Sequence, residues 1–319
     1  MKNLISIVIL TISLCACTQH RSPAVEWTST TADSLFVSHP DIFMSESADS
    51  ADVEVFVNNP MQEIDGFGAC FNELGWTSLS ELNSKDRENI IKDLFSKEGM
   101  NFSVGRMPLG ANDFSRDWYS YNETDKDFEM KNFSIANDEE TLIPFIKAAL
   151  AVRPDLKLWA SPWCPPTWMK YNKHYACMYQ DPETVQKNMR QLGVDDNITT
   201  VNHLTPDQQG AEGADMFIQK PEYLKAYALY FKKFIEAYRS EGIHIDMVAP
   251  QNEFNSCQVF PSCIWTAESL SRFVGAYLGP EMQRLGVKIL FGTMERKNDL
   301  MIDTVMKSEA GKYISAIGF

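Results

Sequence analysis

From residue 64 onward the chain alternates short apolar runs with amphipathic ones, and this rhythm limits the folds open to it more than any other feature. Ile64 to Ala69 reads as a Gly-rich strand, and residues 80–98 as a helix with Ile90, Ile91, Leu94 and Phe95 on one face. Further strands read at Phe102–Met107, Leu156–Ala160, Ile245–Ala249, Val287–Phe291 and Tyr313–Phe319. Helices read at Leu142–Val152, Pro221–Ser240, Ser269–Leu285 and Leu300–Met306. Pro221 suits a first helical turn, where its missing N–H has no partner to lose, and Gly242 stands near the same helix's end. Apolar strands alternating with helices demand a parallel sheet covered on its faces. Two closures satisfy that demand: an open doubly wound sheet and a (β/α)8 barrel. No GxGxxG turn follows the first strand and no P-loop is present, which counts against the open sheet. Polar and aromatic residues instead gather after several strand ends, as they do at the C-terminal face of a barrel. The fold class read here is α/β: a (β/α)8 TIM barrel over residues 61–319, incomplete at about six of eight units.

The start of the chain reads differently. Lys2 precedes an apolar run, Leu4 to Leu14, too short to span a bilayer. It ends in Leu14-Cys15-Ala16-Cys17, which resembles a bacterial lipobox. Residues 1–17 are therefore read as a lipoprotein signal peptide with Cys17 as the lipidated residue. Residues 18–33 are read as a polar tether, and 34–60 as strands of a side β-sandwich, at Ser34–Val37 and Val53–Val57. The expected location is a bacterial membrane, as an anchored lipoprotein facing the periplasm or the cell surface. That compartment permits disulfides. Cys257 with Cys263, or Cys164 with Cys177, are the pairs within reach, and Cys70 makes the count odd. The five His are scattered and no zinc spacing occurs, so no metal site is expected. Asp and Glu number 43 against 29 Lys and Arg, a net charge of -14, which excludes nucleic acid as a partner. Aromatic residues at 12% suit stacking on sugar rings.

Glu253 is the leading candidate for chemistry. It follows an apolar strand directly, with Asn252 before it. Glycoside cleavage needs one carboxyl to protonate the leaving oxygen and a second across the sugar. Burial against apolar walls keeps such a donor protonated near neutral pH. Four segments, each at a strand end, bear on this reading: Phe67-Gly-Ala-Cys-Phe71, Gly105-Arg-Met-Pro-Leu-Gly-Ala-Asn-Asp-Phe-Ser115, Ala160-Ser-Pro-Trp-Cys-Pro-Pro-Thr-Trp-Met-Lys170 and Ala249-Pro-Gln-Asn-Glu253. In this order they resemble glycoside hydrolase family 30, which includes glucosylceramidases and bacterial β-1,6-glucanases.

The resemblance implies a retaining glycosidase acting on β-linked glucosyl glycans, with a carbohydrate as partner beside the lipid anchor and no cofactor. It implies Glu253 as general acid/base and Asn252 as the ligand of the sugar 2-hydroxyl. It implies Asp113 as a holder of sugar hydroxyls with Phe114 beside it, Trp163 as an aromatic wall, and Arg106 as a fixed charge able to orient a carboxylate. Phe254 stands where the family has Pro, and residues 171–220 form an insertion without a counterpart in the lysosomal members. The family's nucleophile follows the seventh barrel strand, so it is expected beyond residue 319, and the chain alone is expected to be inactive. Glu295, after the fifth strand, is poorly placed to oppose Glu253 and has Arg296 as a ready partner; Glu73 reads as structural. The alternatives are a non-catalytic surface glycan-binding lipoprotein and a glucosylceramidase acting on sphingolipid.

Overall fold

The computed structural model of the chain describes residues 58–191 and 201–319 without a break, and residues 28, 29, 31, 34, 37–40 and 56 before them. The expected signal peptide, Cys17, and Val53, Val55 and Val57 lie outside the described residues. The chain divides into two compact units, Met1–Ile64 and Asp65–Phe319. In the first, β1 (Thr28–Ser29) pairs antiparallel with β2 (Val37–Ser38), Thr28 opposite Ser38. Pairing thus begins before residue 34, inside the segment expected to be a tether.

The second unit holds β3 (Gly68–Cys70), α1 (Glu73–Ser80), α2 (Ser84–Phe95), β4 (Val104–Pro108), α3 (Ala136–Glu140), α4 (Leu142–Val152), β5 (Lys157–Ser161), α5 (Pro182–Gln191) and α6 (Pro221–Ser240). After these come β6 (Met247–Val248), α7 (Ala267–Phe273), α8 (Gly279–Leu285), β7 (Lys288–Phe291), α9 (Asp299–Met306) and β8 (Ile314–Ile317). Among the described residues, β3 to β8 form one six-stranded sheet in chain order, parallel at every pairing. Sequential parallel strands with covering helices are the α/β barrel arrangement the alternation predicts. At the start of this sheet Gly68 lies so close to β4 that an added Cβ would fall 1.5 Å from the Val104 carbonyl oxygen, and only glycine fits.

Three departures from the expected elements have a physical cause in the structure. The helix expected over 80–98 is the shorter α2, and a separate helix that was not expected, α1, precedes it. Asn72 caps α1 by accepting from Gly75 N at 2.7 Å, and Asn83 caps α2 by accepting from Asp86 N at 3.0 Å. A second cap restarts the helix, and α1 is short of strong helix formers, so its periodicity is faint. The strand expected over Ile245–Ala249 is reduced to Met247–Val248, because the Asp246 carboxylate takes the Leu158 N–H at 2.8 Å in place of a backbone carbonyl. The helix expected from Ser269 begins at Ala267, with Thr266 as its cap, and widens to a π turn over Val274–Leu278. Pro280 lies just beyond and has no N–H to return to the preceding turn, which accounts for the wide turn there.

Helices α4 and α6 keep their expected bounds. In α6 the apolar face is broad enough to bury Tyr227, Tyr230, Phe231, Phe234, Ile235 and Tyr238 together. Tyr121 stacks on Tyr230 at 5.6 Å and on Phe234 at 5.9 Å. A buried carboxylate closes this cluster. Asp138 of α3 accepts from the hydroxyls of Tyr119 and Tyr121 at 2.6 Å each, and of Tyr238 at 2.5 Å. Burial raises the Asp138 carboxyl to about 6, against the opposing pull of the three hydroxyls. The unfolded carboxyl titrates near 3.9, so between these values the unfolded state releases its proton first. Stability from this group is therefore complete below about pH 4 and is lost as pH rises through 6. In urea titrations Asp138→Asn should gain on the wild type by roughly 2–3 kcal/mol between pH 4 and pH 6.5. A constant difference over that range would exclude the carboxyl as the source.

Candidate active site

The site assembles where four successive strands end. Along β4 the side chains alternate: Gly105 and Met107 face the buried layer, and Arg106 faces the other way. Trp159 on β5 is Arg106's register partner and shares its face. The guanidinium carbon lies 4.8 Å from the Trp159 ring centre and 4.4 Å from that of Trp163. A cation held between two indoles is well placed for attraction to both ring faces. A cavity of about 360 Å³, lined by Gly68, Cys70, Arg106 and Trp159 among others, opens beside it.

Among the described residues Arg106 makes no ion pair with a carboxylate, and its charge reaches Asp113 and Glu253 through the shared field. Its Nη2 donates to Asn252 Oδ1 at 2.5 Å and to Ser161 Oγ at 2.9 Å, and its Nε donates to Ser161 Oγ at 3.2 Å. Thr293, past the end of β7, donates its hydroxyl to the same Asn252 oxygen at 2.9 Å. With two donors on the oxygen, the Asn252 amide has one orientation, its NH2 turned away from both. Asn252 N donates to the Pro162 carbonyl at 2.7 Å, and Gln251 Nε2 donates to the Trp163 carbonyl at 2.6 Å. The loops after β5 and β6 are thereby stitched together.

Glu253 follows with φ +46°, a left-handed conformation unusual for a residue with a side chain. Its carbonyl accepts from Ser256 N at 3.0 Å, and its carboxylate accepts from Gln258 Nε2 at 3.0 Å. The Glu253 pKa is raised, first by burial and then by the negative charges of Glu295 and Asp113. Gln258 and Arg106 oppose that rise. Asp113 is raised as well, mainly because the surrounding walls desolvate it. Three carboxylates and two guanidinium groups, those of Arg106 and Arg296, therefore share one field.

The other expected residues fall around this centre. Asp113 and Phe114 stand exposed at the rim, Phe114 with 55% of its surface free. Trp163 is 6% exposed, its ring covered on one side by Arg106, so it backs the site and offers little open face. Glu295 pairs with Arg296 at 2.7 Å, and Arg296 also reaches Glu212 at 2.8 Å. Glu212, Asn255 and Arg296 are among the residues lining a further cavity of about 410 Å³. Glu73 is fully buried at the start of α1 and accepts from Asn137 Nδ2 at 2.9 Å and from Arg116 N at 3.2 Å, a structural role. The cysteine pairs left open by the sequence are not disulfides: Cys70, Cys164, Cys177, Cys257 and Cys263 are all free thiols. Among the described residues no group of three His, Cys, Asp or Glu side chains could hold a metal ion.

Ser161, Thr293 and Gln258 enter the site without having been expected there. Ser161 and Thr293 follow the same logic as Asn252, since each stands at a strand's C-terminal end. Gln258 gives no such signal, being a polar residue in an irregular loop.

Comparison with known proteins fits this geometry. Residues 64–191 match the glycosyl hydrolase family 30 TIM-barrel domain. The chain carries a family 30 domain. It is 31% identical over 268 residues to a putative glucosylceramidase 1 of Caenorhabditis elegans, an alignment covering 81% of this chain and 45% of the relative. It is 25% identical over 281 residues to the endo-1,6-beta-D-glucanase neg1 of Aspergillus fumigatus, covering 86% of this chain and 52% of the relative. Among solved structures, the endo-beta1,6-glucanase BT3312 superposes with a TM-score of 0.61 at 26% identity, over 80% of this chain and 52% of that one. The chain spans about half the length of the curated relatives it matches.

In the family 30 domain the role of Arg106 rests on its planar shape as well as its charge. Lysine keeps the charge but loses the fork and the flat stack. Arg106→Lys should lower the unfolding free energy by about 1–3 kcal/mol in denaturant titrations. Asp113→Asn, at the exposed rim, should change it by no more than about 0.5 kcal/mol.

Proposed function

We propose that this chain carries the proton-donor half of a retaining glycoside hydrolase acting on β-linked glucosyl glycans, with Glu253 as general acid/base. The observation that carries the reading is the Glu253 carboxyl: it stands beyond the end of β6, beside an oriented Asn252, with its pKa raised. A raised pKa keeps the proton available for a leaving oxygen, and the ionised form then draws a proton from water in the second step. Asn252 would donate its NH2 to a sugar hydroxyl while Arg106 and Thr293 hold its oxygen. Asp113 would accept from other hydroxyls, with Phe114 and Trp163 as apolar neighbours. Retention requires a second carboxylate about 5–5.5 Å from the first. Glu295 is engaged with Arg296, and the proposal assigns the nucleophile to none of the described residues.

Relatives named as endo-1,6-beta-glucanases, one of them a solved structure with the same fold, favour a β-1,6-linked glucan as substrate. A lipid at Cys17 would hold the site near a membrane, where such glycans are met outside the cell.

Calorimetric titration of the 319-residue chain with β-1,6-linked gluco-oligosaccharides tests the reading. Binding should weaken about tenfold in each of Asn252→Ala and Asp113→Ala, the loss of one hydrogen-bonded contact. Aryl β-glucosides should not be turned over. No measurable affinity for any β-linked glucoside would overturn the reading, and turnover abolished alike by Glu253→Gln and Glu295→Gln would make Glu295 the nucleophile.

A further inference from the structure

The loop that carries Glu253 is held from a distance. Gln258 Nε2 donates to Glu253 Oε2 at 3.0 Å and to Ser256 Oγ at 2.9 Å, so both its N–H bonds are used and the amide cannot turn. The Gln258 backbone is fixed as well. Its carbonyl accepts from Cys177 N at 3.1 Å and Met178 N at 2.9 Å, and its N–H reaches Ser262 Oγ at 3.3 Å. Cys177 and Met178 belong to the 171–220 insertion. That segment is tied to the same loop by Ser262 N donating to the Tyr175 carbonyl at 3.0 Å, and by the bridge between Ala176 and Pro261.

Beneath both runs lies Lys170, whose side chain is fully buried. Its ammonium donates to the carbonyls of His174 at 2.6 Å, Tyr175 at 2.8 Å, Ala176 at 3.4 Å and Ser262 at 2.6 Å. A buried ammonium is tolerated only where acceptors surround it, so this cation fixes turn 174–176 and residue 262 relative to each other.

We infer that Gln258 is the positioning residue of Glu253, and that the 170–178 segment, folded around Lys170, sets its placement. The inference rests on the reading of Glu253 as acid/base and adds a specific task. The carboxyl must both give up and regain a proton. Its neighbours on the loops after β4 and β7, Asp113 and Glu295, disfavour the ionised form, as burial does. Arg106 favours that form, and Arg296, beside Glu295, also lies within its field. The Gln258 N–H is the one contact among these that also fixes the direction of the carboxylate. It stabilises the ionised form and holds one of the two carboxylate oxygens, Oε2, in place.

The test is a carbon-13 NMR titration of the 319-residue chain labelled at glutamate Cδ, with Glu253 assigned through Glu253→Gln. Gln258→Leu removes the donor and should lower the Glu253 ionisation constant about three- to tenfold, raising its pKa. Gln258→Glu, of the same shape but with a second carboxylate, should lower it further. Ser256→Ala leaves the donor in place and should stay within about twofold. In the unsubstituted chain the Gln258 side-chain amide signals should shift with the same midpoint as the Glu253 carboxyl. Amide signals that ignore that midpoint would overturn the inference, as would a folded Gln258→Leu chain with an unchanged constant. The titration reads a proton and not a turnover, so a chain that binds no glycoside can still pass or fail it.

Discussion

One oxygen atom holds the C-terminal edge of the sheet together. Asn252 Oδ1 receives Arg106 from β4 and Thr293 from beyond β7, and Arg106 at the same time grips Ser161 at the end of β5. Below this level the strands are spaced by backbone ladders. At their ends the ladders stop and the loops diverge, so the relative position of side chains depends on polar contacts made across strands. Remove the guanidinium and the Asn252 amide, Ser161 and the two indoles around it each lose their reference point.

Charge then sets the carboxylates of the site apart. The chain is strongly acidic, and its candidate site concentrates that surplus. Each carboxylate there meets its neighbours differently. Glu295 is neutralised by an arginine, and Asp113 stays at the rim near water. Glu253, partly enclosed, retains its proton more readily than an ordinary glutamate. Similar groups thus meet different surroundings within one site.

How much of this was legible beforehand depended on range. Helix α4 announces itself through Ile143 and Ile146 in phase, and α6 through Pro221 and a long apolar face, so their bounds follow from local pattern. A strand end declares Glu253 and its neighbour Asn252, since an apolar strand that breaks abruptly into polar residues marks the rim of the sheet, whereas Arg106, Asp113 and Trp163 were legible only through the resemblance to family 30. What escaped is non-local. Asp246 shortens β6 by bonding to Leu158, 88 residues away in sequence, and Asp138 gathers hydroxyls from as far as Tyr238, 100 residues away. No periodicity encodes such meetings. The cysteines misled for the same reason: spacing along the chain suggested pairs, whereas Cys164, Cys177 and Cys263 stand in the field of the Lys170 cation. The positive φ of Glu253 gave no sign either, because glycine, the residue that usually marks such a turn, is absent there.

The cage of carbonyls around Lys170 has an evolutionary consequence. It fastens the insertion at its root, while α5, farther along, buries none of its residues. Anchor and tip are thereby uncoupled. Substitutions in the outer part of the segment should leave the loop that carries Glu253 undisturbed, provided the lysine stays. A graft between relatives should carry the root along with the tip, for the cation and its four carbonyls form a single heritable module.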